Sequence, residues 1–176
     1  MCIATTDEIL GAILEREGWP TYTDPEETGL PDRGGPTKGG ITLNTLSSWR
    51  GHRAARRDLK RLTREEALQI LRRQFVECNG IARLEGSPVF AQVIDNGVLS
   101  GPYTAVCDLQ RALGVTADGI IGGITCAAVE AQRHRISALL VRARALRIAR
   151  FVQSHPKQLV FLNGWMTRIL SFLEEG

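Results

Sequence analysis

A chain of 176 residues, 43% of them hydrophobic, can bury a core and is short enough for one domain or two closely packed lobes. With 22 Lys and Arg against 19 Asp and Glu, its net charge of +3 permits an anionic partner without requiring one. Acidic residues near the start exclude a signal-peptide core, and no run approaches the roughly 20 apolar residues of a membrane span. We therefore expect a protein made in the cytoplasm without a signal peptide.

The four cysteines are widely scattered along the chain, at Cys2, Cys78, Cys107 and Cys126. Without a CxxC pair or a nearby histidine spacing, they favour neither a zinc site nor a disulfide framework. We expect them to be reduced and mostly buried. No metal and no organic cofactor is expected.

The first predicted helix covers residues 5–17. Thr5 and Glu8 have capping-box spacing, and Gly18 is well placed to end the helix. One apolar stripe is formed by Ile9, Leu10, Ile13 and Leu14. The following stretch, 19–51, is crowded with Pro, Gly, Thr and Asp, which predicts a long ordered loop with at most short strands around 41–46. Loops this long in compact domains tend to be functional.

The rest of the chain predicts helix after helix. Capping residues or prolines mark the predicted starts, which are Thr63 (with Glu66), Ser87-Pro88, Pro102, Thr125 and Pro156. Gly114 ends the helix that starts at Pro102. The last helix is expected to bury Leu159, Leu162, Trp165, Met166, Ile169 and Leu173. The fold class is therefore all-α, mainly helical, with one long N-terminal loop and at most a short β element.

Glu17 is the most informative single residue. It follows Ile13 by four positions and Leu14 by three, which places its carboxylate on the apolar stripe at the helix end. Partial burial there would favour the protonated form, as the acid of a glycosidase requires. The alternative is a helix-end glutamate that simply points to solvent.

The predicted loop supplies further candidate residues. Acidic side chains precede or begin the run DRGGPTKGGIT, which extends from Asp32 to Thr42. Asp32 and Thr37 can position a water or stabilise an oxocarbenium ion, and glycines such as Gly35 let the backbone approach a sugar. The alternative is an ordinary polar turn in which Asp32 binds local N–H groups.

Three motifs in one order resemble glycoside hydrolase family 108. They are Glu17-Gly18, then DRGGPTKGGIT, then LQRALGVTADGIIGGIT from Leu109 to Thr125. The similarity extends to Asn163-Gly164-Trp165 and Arg168, and so covers nearly the whole chain. Members of this family are N-acetylmuramidases, common as phage endolysins and as accessories of bacterial secretion.

The resemblance implies a lysozyme-like catalytic portion in residues 1–100, with a peptidoglycan-binding-like helical portion in 101–176 packed on it. It implies that Glu17 carries catalysis, although Trp19 and Pro20 stand in the last two places of the family's Glu-Gly-Gly-Tyr motif. The other predicted site residues are Asp32 and Thr37 for catalysis, and Trp19, Tyr22, Gly35 and Asp95 for substrate binding. Core packing is the alternative for Trp19 and Tyr22.

The implied function is an endolysin that cleaves the β-1,4 bond between N-acetylmuramic acid and N-acetylglucosamine and so lyses bacterial cells, reaching the wall through a holin-type pore. Peptidoglycan glycan strands are the expected partner of a monomeric enzyme that does not bind nucleic acid. The basic segment Arg50–Arg64 has seven Lys or Arg in fifteen residues, which favours contact with anionic envelope groups or a solvated surface. The alternatives are a lytic transglycosylase, a non-catalytic peptidoglycan-binding module, or a basic nucleic-acid binder.

Overall fold

The computed structural model describes residues 5–28 and 35–173, which are mainly helical with one small sheet. The α-helices are α1 Thr6–Arg16, α2 Pro25–Thr28, α3 Leu43–Arg50, α4 Arg56–Lys60, α5 Arg64–Arg72, α6 Phe90–Ser100, α7 Pro102–Leu113, α8 Gly123–Ala131, α9 Ile136–Ser154 and α10 Leu162–Leu170. Shorter helical turns are a π-helix at Arg73–Glu77 and 3₁₀ helices at Cys78–Leu84, Pro156–Phe161 and Ser171–Leu173. The strands are β1 Tyr22–Thr23, β2 Thr37–Lys38 and β3 Ile41–Thr42. The predicted fold class is confirmed.

The chain divides into two compact units, Met1–Gln74 and Phe75–Gly176. In the first unit, α1 starts as predicted, because Thr5 Oγ1 accepts a hydrogen bond from the Glu8 N–H at 3.3 Å and the Glu8 carboxylate accepts one from the Thr5 N–H at 2.7 Å. Leu10 and Leu14 are completely buried. Gly18, with φ of +86°, follows the end of the helix. The local signals therefore predicted α1 to within a residue at each end.

The predicted loop 19–51 is more regular than its composition indicates. It contains an antiparallel sheet in the order β1-β2-β3, and Gly39 and Gly40, both with positive φ, form the two-residue turn between β2 and β3. It also contains α3, where we predicted no helix. The Thr42 hydroxyl accepts a hydrogen bond from the Thr45 N–H at 3.1 Å and so caps this helix. Only Leu46 of α3 is buried, so the helix lacks the apolar stripe that would have predicted it.

The predicted capping box at Thr63 is half formed. The Thr63 hydroxyl accepts from the Glu66 N–H at 3.2 Å, but the Glu66 carboxylate binds the Arg50 guanidinium through two hydrogen bonds of 2.7 and 2.8 Å. A bidentate arginine is a stronger donor than the single Thr63 N–H of a capping box. The Glu66 side chain therefore turns away from the helix end and toward Arg50. Hydrogen bonding to Arg50, opposed by partial burial, holds the pKa of Glu66 below its ordinary value. This pair ties α3 to α5 in the first unit.

In the second unit, α6, α7 and α9 pack around a common core. Pro102 opens α7 and Gly114, in the left-handed region, ends it, as predicted. The prediction that Thr125 caps a helix is wrong, because α8 starts at Gly123, and the buried Thr125 hydroxyl accepts from Gln110 Nε2 at 3.3 Å. The core side chains of these helices include Phe90, Val93, Ile94, Val106, Leu109 and Leu140.

The predicted face of the last helix is partly wrong. Ile169 is completely buried, and Leu162 and Trp165 pack against the same core cluster. Leu159 and Leu173 are instead 59% and 49% exposed. Both lie in 3₁₀ helices that flank α10, where the rotation per residue differs from the α-helical value that the prediction assumed.

Candidate active site

Glu17 lies immediately after the last residue of α1. Its backbone N–H still bonds to the Ile13 carbonyl at 2.9 Å, but the side chain is exposed to solvent. The predicted partial burial is therefore not found. The prediction assumed that Glu17 continues the apolar stripe of α1. The buried stripe ends at Leu14, the helix ends at Arg16, and the chain turns at Gly18. The structure thus places the carboxylate at an open surface, where a large substrate can reach it.

The turn between β2 and β3 packs directly against Glu17. A Cβ atom placed on Gly40 would lie 3.3 Å from Cβ of Glu17 and 3.5 Å from its carboxylate oxygen Oε2. The backbone of this turn therefore lies close beside the glutamate side chain. Only a glycine, with φ of +76° at this position, provides both the turn and the close approach.

If Glu17 carries catalysis, as the family resemblance implies, Gly40→Ala should lower the rate of glycan cleavage about tenfold, because the added methyl group crowds Cβ and Cγ of Glu17 at 3.3 and 3.4 Å and so shifts its side chain. A left-handed backbone also costs an alanine about 1 kcal/mol of stability. Gly51→Ala is the matched control, since Gly51 has φ of +71° with no atom within 4 Å of the added methyl group. Rates measured on purified peptidoglycan, at equal folded fraction, should fall only for Gly40→Ala. Equal rates for the two variants would contradict the proposed contact.

Trp19 forms the neighbouring part of this surface. Its half-buried ring lies against Gly39, where an added Cβ would come within 2.8 Å of ring atom Cε3. Lys38 Nζ lies 4.9 Å from the ring centroid and donates hydrogen bonds to the carbonyls of Lys60 at 2.8 Å and Leu62 at 2.9 Å. No local pattern predicted the role of Lys38, because these two carbonyl partners lie more than twenty positions away. The lysine fixes β2 and the tryptophan together.

Tyr22 is held in a polar cluster around a buried carboxylate. Its hydroxyl donates to Asp24 at 2.9 Å, and Arg56 Nε donates to the same oxygen at 2.7 Å. Burial raises the pKa of Asp24, but the hydrogen bonds from Tyr22, from the Glu26 N–H and from Arg56 outweigh it and hold the pKa below its ordinary value. Asp24 is therefore an ionised anchor that fixes Tyr22, whose ring lies 4.7 Å from Lys60 Nζ.

Thr37 lies at the centre of a row of threonines. It pairs with Thr23 on β1 and with Thr42 on β3, so the three side chains share one face of the sheet. Gly35 has φ of +70°, and among residues 5–28 and 35–173 no atom lies within 4 Å of a Cβ placed on it. Asp32, the other predicted catalytic residue of this loop, lies outside the described residues.

Asp95 belongs to the second unit and is only 2% exposed. One carboxylate oxygen accepts from Arg144 Nη2 and the other from Arg168 Nε, both at 2.7 Å. Arg144 is completely buried, and burial lowers its pKa although Asp95 opposes the shift. Because both oxygens accept from arginines, this geometry favours a structural role for Asp95, and its substrate contact stays a prediction.

Within 5–28 and 35–173, no group of three or more His, Cys, Asp or Glu side chains is arranged to hold a metal ion. In the same ranges no helix is long and apolar enough to cross a membrane. Cys78, Cys107 and Cys126 are free thiols, and Cys107 is buried.

A mainly helical fold with an exposed glutamate at a helix end, beside a small sheet with a glycine turn, is lysozyme-like. The model of the family described as Glycosyl hydrolase 108 matches residues 10–101, and the chain belongs to that family. A second model, described as a Predicted Peptidoglycan domain, matches residues 104–170. The chain is therefore a glycoside hydrolase that acts on peptidoglycan.

A solved structure supports the same conclusion. The chain is 31% identical to Brucella abortus SagA, with a TM-score of 0.75, over 97% of this chain and 92% of that one. A search of curated proteins found no match.

Proposed function

We propose that this protein is an N-acetylmuramidase, which hydrolyses the β-1,4 bond between N-acetylmuramic acid and N-acetylglucosamine with Glu17 as its general acid. The contact between the Glu17 side chain and the Gly40 turn carries this proposal. The chain belongs to a glycoside hydrolase family, and this close approach places an exposed carboxylic acid beside the turn. A general acid has to be within hydrogen-bond reach of the glycosidic oxygen and held there.

In the proposed reaction, the protonated carboxyl group of Glu17 transfers its proton to the glycosidic oxygen as the bond to the anomeric carbon breaks. The N-acetylglucosamine side leaves as an alcohol, and positive charge develops on the muramic acid ring. Water then adds to the anomeric carbon and loses a proton, which leaves a reducing muramic acid end. We propose that Asp32 and Thr37 position this water or stabilise the charge.

The sugar-binding surface that we propose lies around the same turn. Trp19 offers a half-buried ring beside Glu17, and Gly35 offers open space for a close approach. The hydroxyl groups of Thr23 and Thr37 add a polar face of the kind that sugar hydroxyls bind, while the Thr42 hydroxyl caps α3. Tyr22 contributes its ring, since its hydroxyl already donates to Asp24. Asp95 has no part in this proposal because Arg144 and Arg168 engage its carboxylate.

The proposal assigns hydrolysis to residues 1–100 and wall binding to residues 101–176. We also propose that the enzyme acts as an endolysin released through a holin-type pore. Expression in a bacterium should then lyse the cells only when a holin is co-expressed.

In the basic segment, Arg53 and Arg57 line a cavity of about 650 Å³ and are the side chains that we propose for contact with anionic envelope groups.

Identification of the new chain ends tests which bond is cut. Purified peptidoglycan is digested to completion, reduced with borohydride, and the fragments are weighed by mass spectrometry. The proposal predicts muramitol at the fragment ends. Glucosaminitol ends would show cleavage of the other glycosidic bond. Anhydromuramic ends, which borohydride does not reduce, would show a lytic transglycosylase.

A further inference from the structure

A groove of about 280 Å³ lies between α7 and α9 in the second unit and is lined by four arginines. Arg111 comes from α7, and Arg142, Arg147 and Arg150 come from α9. Its apolar part is formed by Ala112, Leu139, Ala143 and Leu146. The groove therefore combines strong positive charge with an aliphatic surface.

The positive charge of this groove is not balanced within it. Asp108 is the one carboxylate in the described lining. It is 3% exposed and already accepts from Arg147 Nε at 2.6 Å, with Arg111 at 3.4 Å. Arg142 and Arg150 are exposed, and neither forms a salt bridge with any residue in the described part of the chain. Two guanidinium groups thus remain available for a ligand.

The spacing of these residues places them on one face. Arg142, Leu146 and Arg150 follow each other at intervals of four residues in α9, so their side chains form a single row. Leu146 is 43% exposed between the two arginines. A ligand along this row meets a cation, an aliphatic side chain and a second cation in turn. Guanidinium groups bind carboxylates with two parallel hydrogen bonds.

We propose that this groove binds the peptide stem of peptidoglycan through its carboxylates. The inference rests on the proposed action on peptidoglycan and goes beyond it, because it assigns recognition of the peptide to the second unit. The stem is short, carries several free carboxylates and has small aliphatic side chains, which matches the arginines and the apolar surface of the groove. A phosphate polymer would match the charge but would leave Leu146 and its neighbours without a partner.

Binding of soluble muropeptides tests the proposal. Calorimetric titration is carried out with the full chain carrying Glu17→Gln. The probes are a disaccharide-tetrapeptide with a diaminopimelate stem, the same disaccharide without peptide, and polyphosphate. The test variant adds Arg142→Gln and Arg150→Gln, which remove exposed charges without breaking an ion pair among the described residues. The matched control adds Arg83→Gln and Lys157→Gln, which remove two exposed charges of the second unit outside the groove.

The proposal predicts that the stem-bearing probe binds at least about tenfold more tightly than the stem-free one, and that the groove variant loses this difference while the control keeps it. Equal affinity for the two disaccharides would overturn it. An arginine-dependent affinity for polyphosphate alone would overturn it as well. Hydrolysis is measured separately with the unmodified chain. If that assay shows no muramidase activity, the binding titrations still decide whether the groove recognises the peptide stem.

Discussion

Replacing Glu17 by Gln is expected to lower the rate of reducing-end release from purified peptidoglycan by roughly 10² to 10⁴, the range that general acids contribute. The amide has nearly the same shape as the carboxyl group but cannot deliver a proton to the leaving oxygen. Because Glu17 is exposed at the end of α1, the circular dichroism spectrum and the thermal midpoint should remain those of the wild type.

Glu15→Gln is the matched control for this experiment. Glu15 is an exposed glutamate in the last turn of α1, two residues before Glu17, and it pairs with Arg64 Nε at 3.7 Å. Loss of such a surface pair costs at most about 1 kcal/mol of stability and should leave the rate unchanged. If Glu17→Gln cleaves as fast as Glu15→Gln, the acid is another residue.

Replacing Asp95 by Ala should destabilise the second unit by about 3–5 kcal/mol, the cost of leaving a buried charge without its partner. Arg144 is completely buried, and two of its nitrogens, Nε and Nη1, have no hydrogen-bond partner in the described structure. Among the described residues, the Phe172 ring, 5.5 Å from the guanidinium carbon, would then be the remaining favourable contact for this charge. Chemical denaturation monitored by circular dichroism measures the change.

Glu130→Ala is the comparison for Asp95→Ala. Glu130 forms an exposed pair with Arg133 at 3.2 Å in the same unit, and its removal should cost less than about 1 kcal/mol. The free energy of unfolding and the affinity for glycan fragments then distinguish a structural role of Asp95 from a substrate contact. A stable Asp95→Ala protein with weakened affinity for glycan fragments would restore the sequence-based prediction that Asp95 binds substrate and contradict the structural role.

Capping residues, prolines and glycines at helix ends predicted α1 and α7 correctly. Thr5 and Glu8 predicted the start of α1, while Pro102 and Gly114 predicted both ends of α7. Each of these signals acts within one turn of chain, so it can be read from neighbouring residues. Helix α3 was missed because its cap, Thr42, lies in a stretch whose glycines and threonines also favour turns.

The site depends on contacts that no local pattern contains. Glu17 was identified from its position and motif, but its contact with Gly40 arises because the β2–β3 turn folds back onto the end of α1. The arginine partners of Asp95 lie 49 and 73 positions further along the chain. A buried aspartate in a helix is therefore equally compatible with a ligand contact and a salt bridge until its partners are known.

The most direct test of the central claim measures binding and cleavage on the same peptidoglycan sacculi. Wild type and Glu17→Gln are each incubated with sacculi, the bound fraction is taken from the pellet, and reducing ends are assayed in the supernatant. We predict that both proteins bind and that only the wild type releases reducing muramic acid ends. If both bind and neither releases ends, the protein is a wall-binding module and Glu17 is only the end of a helix.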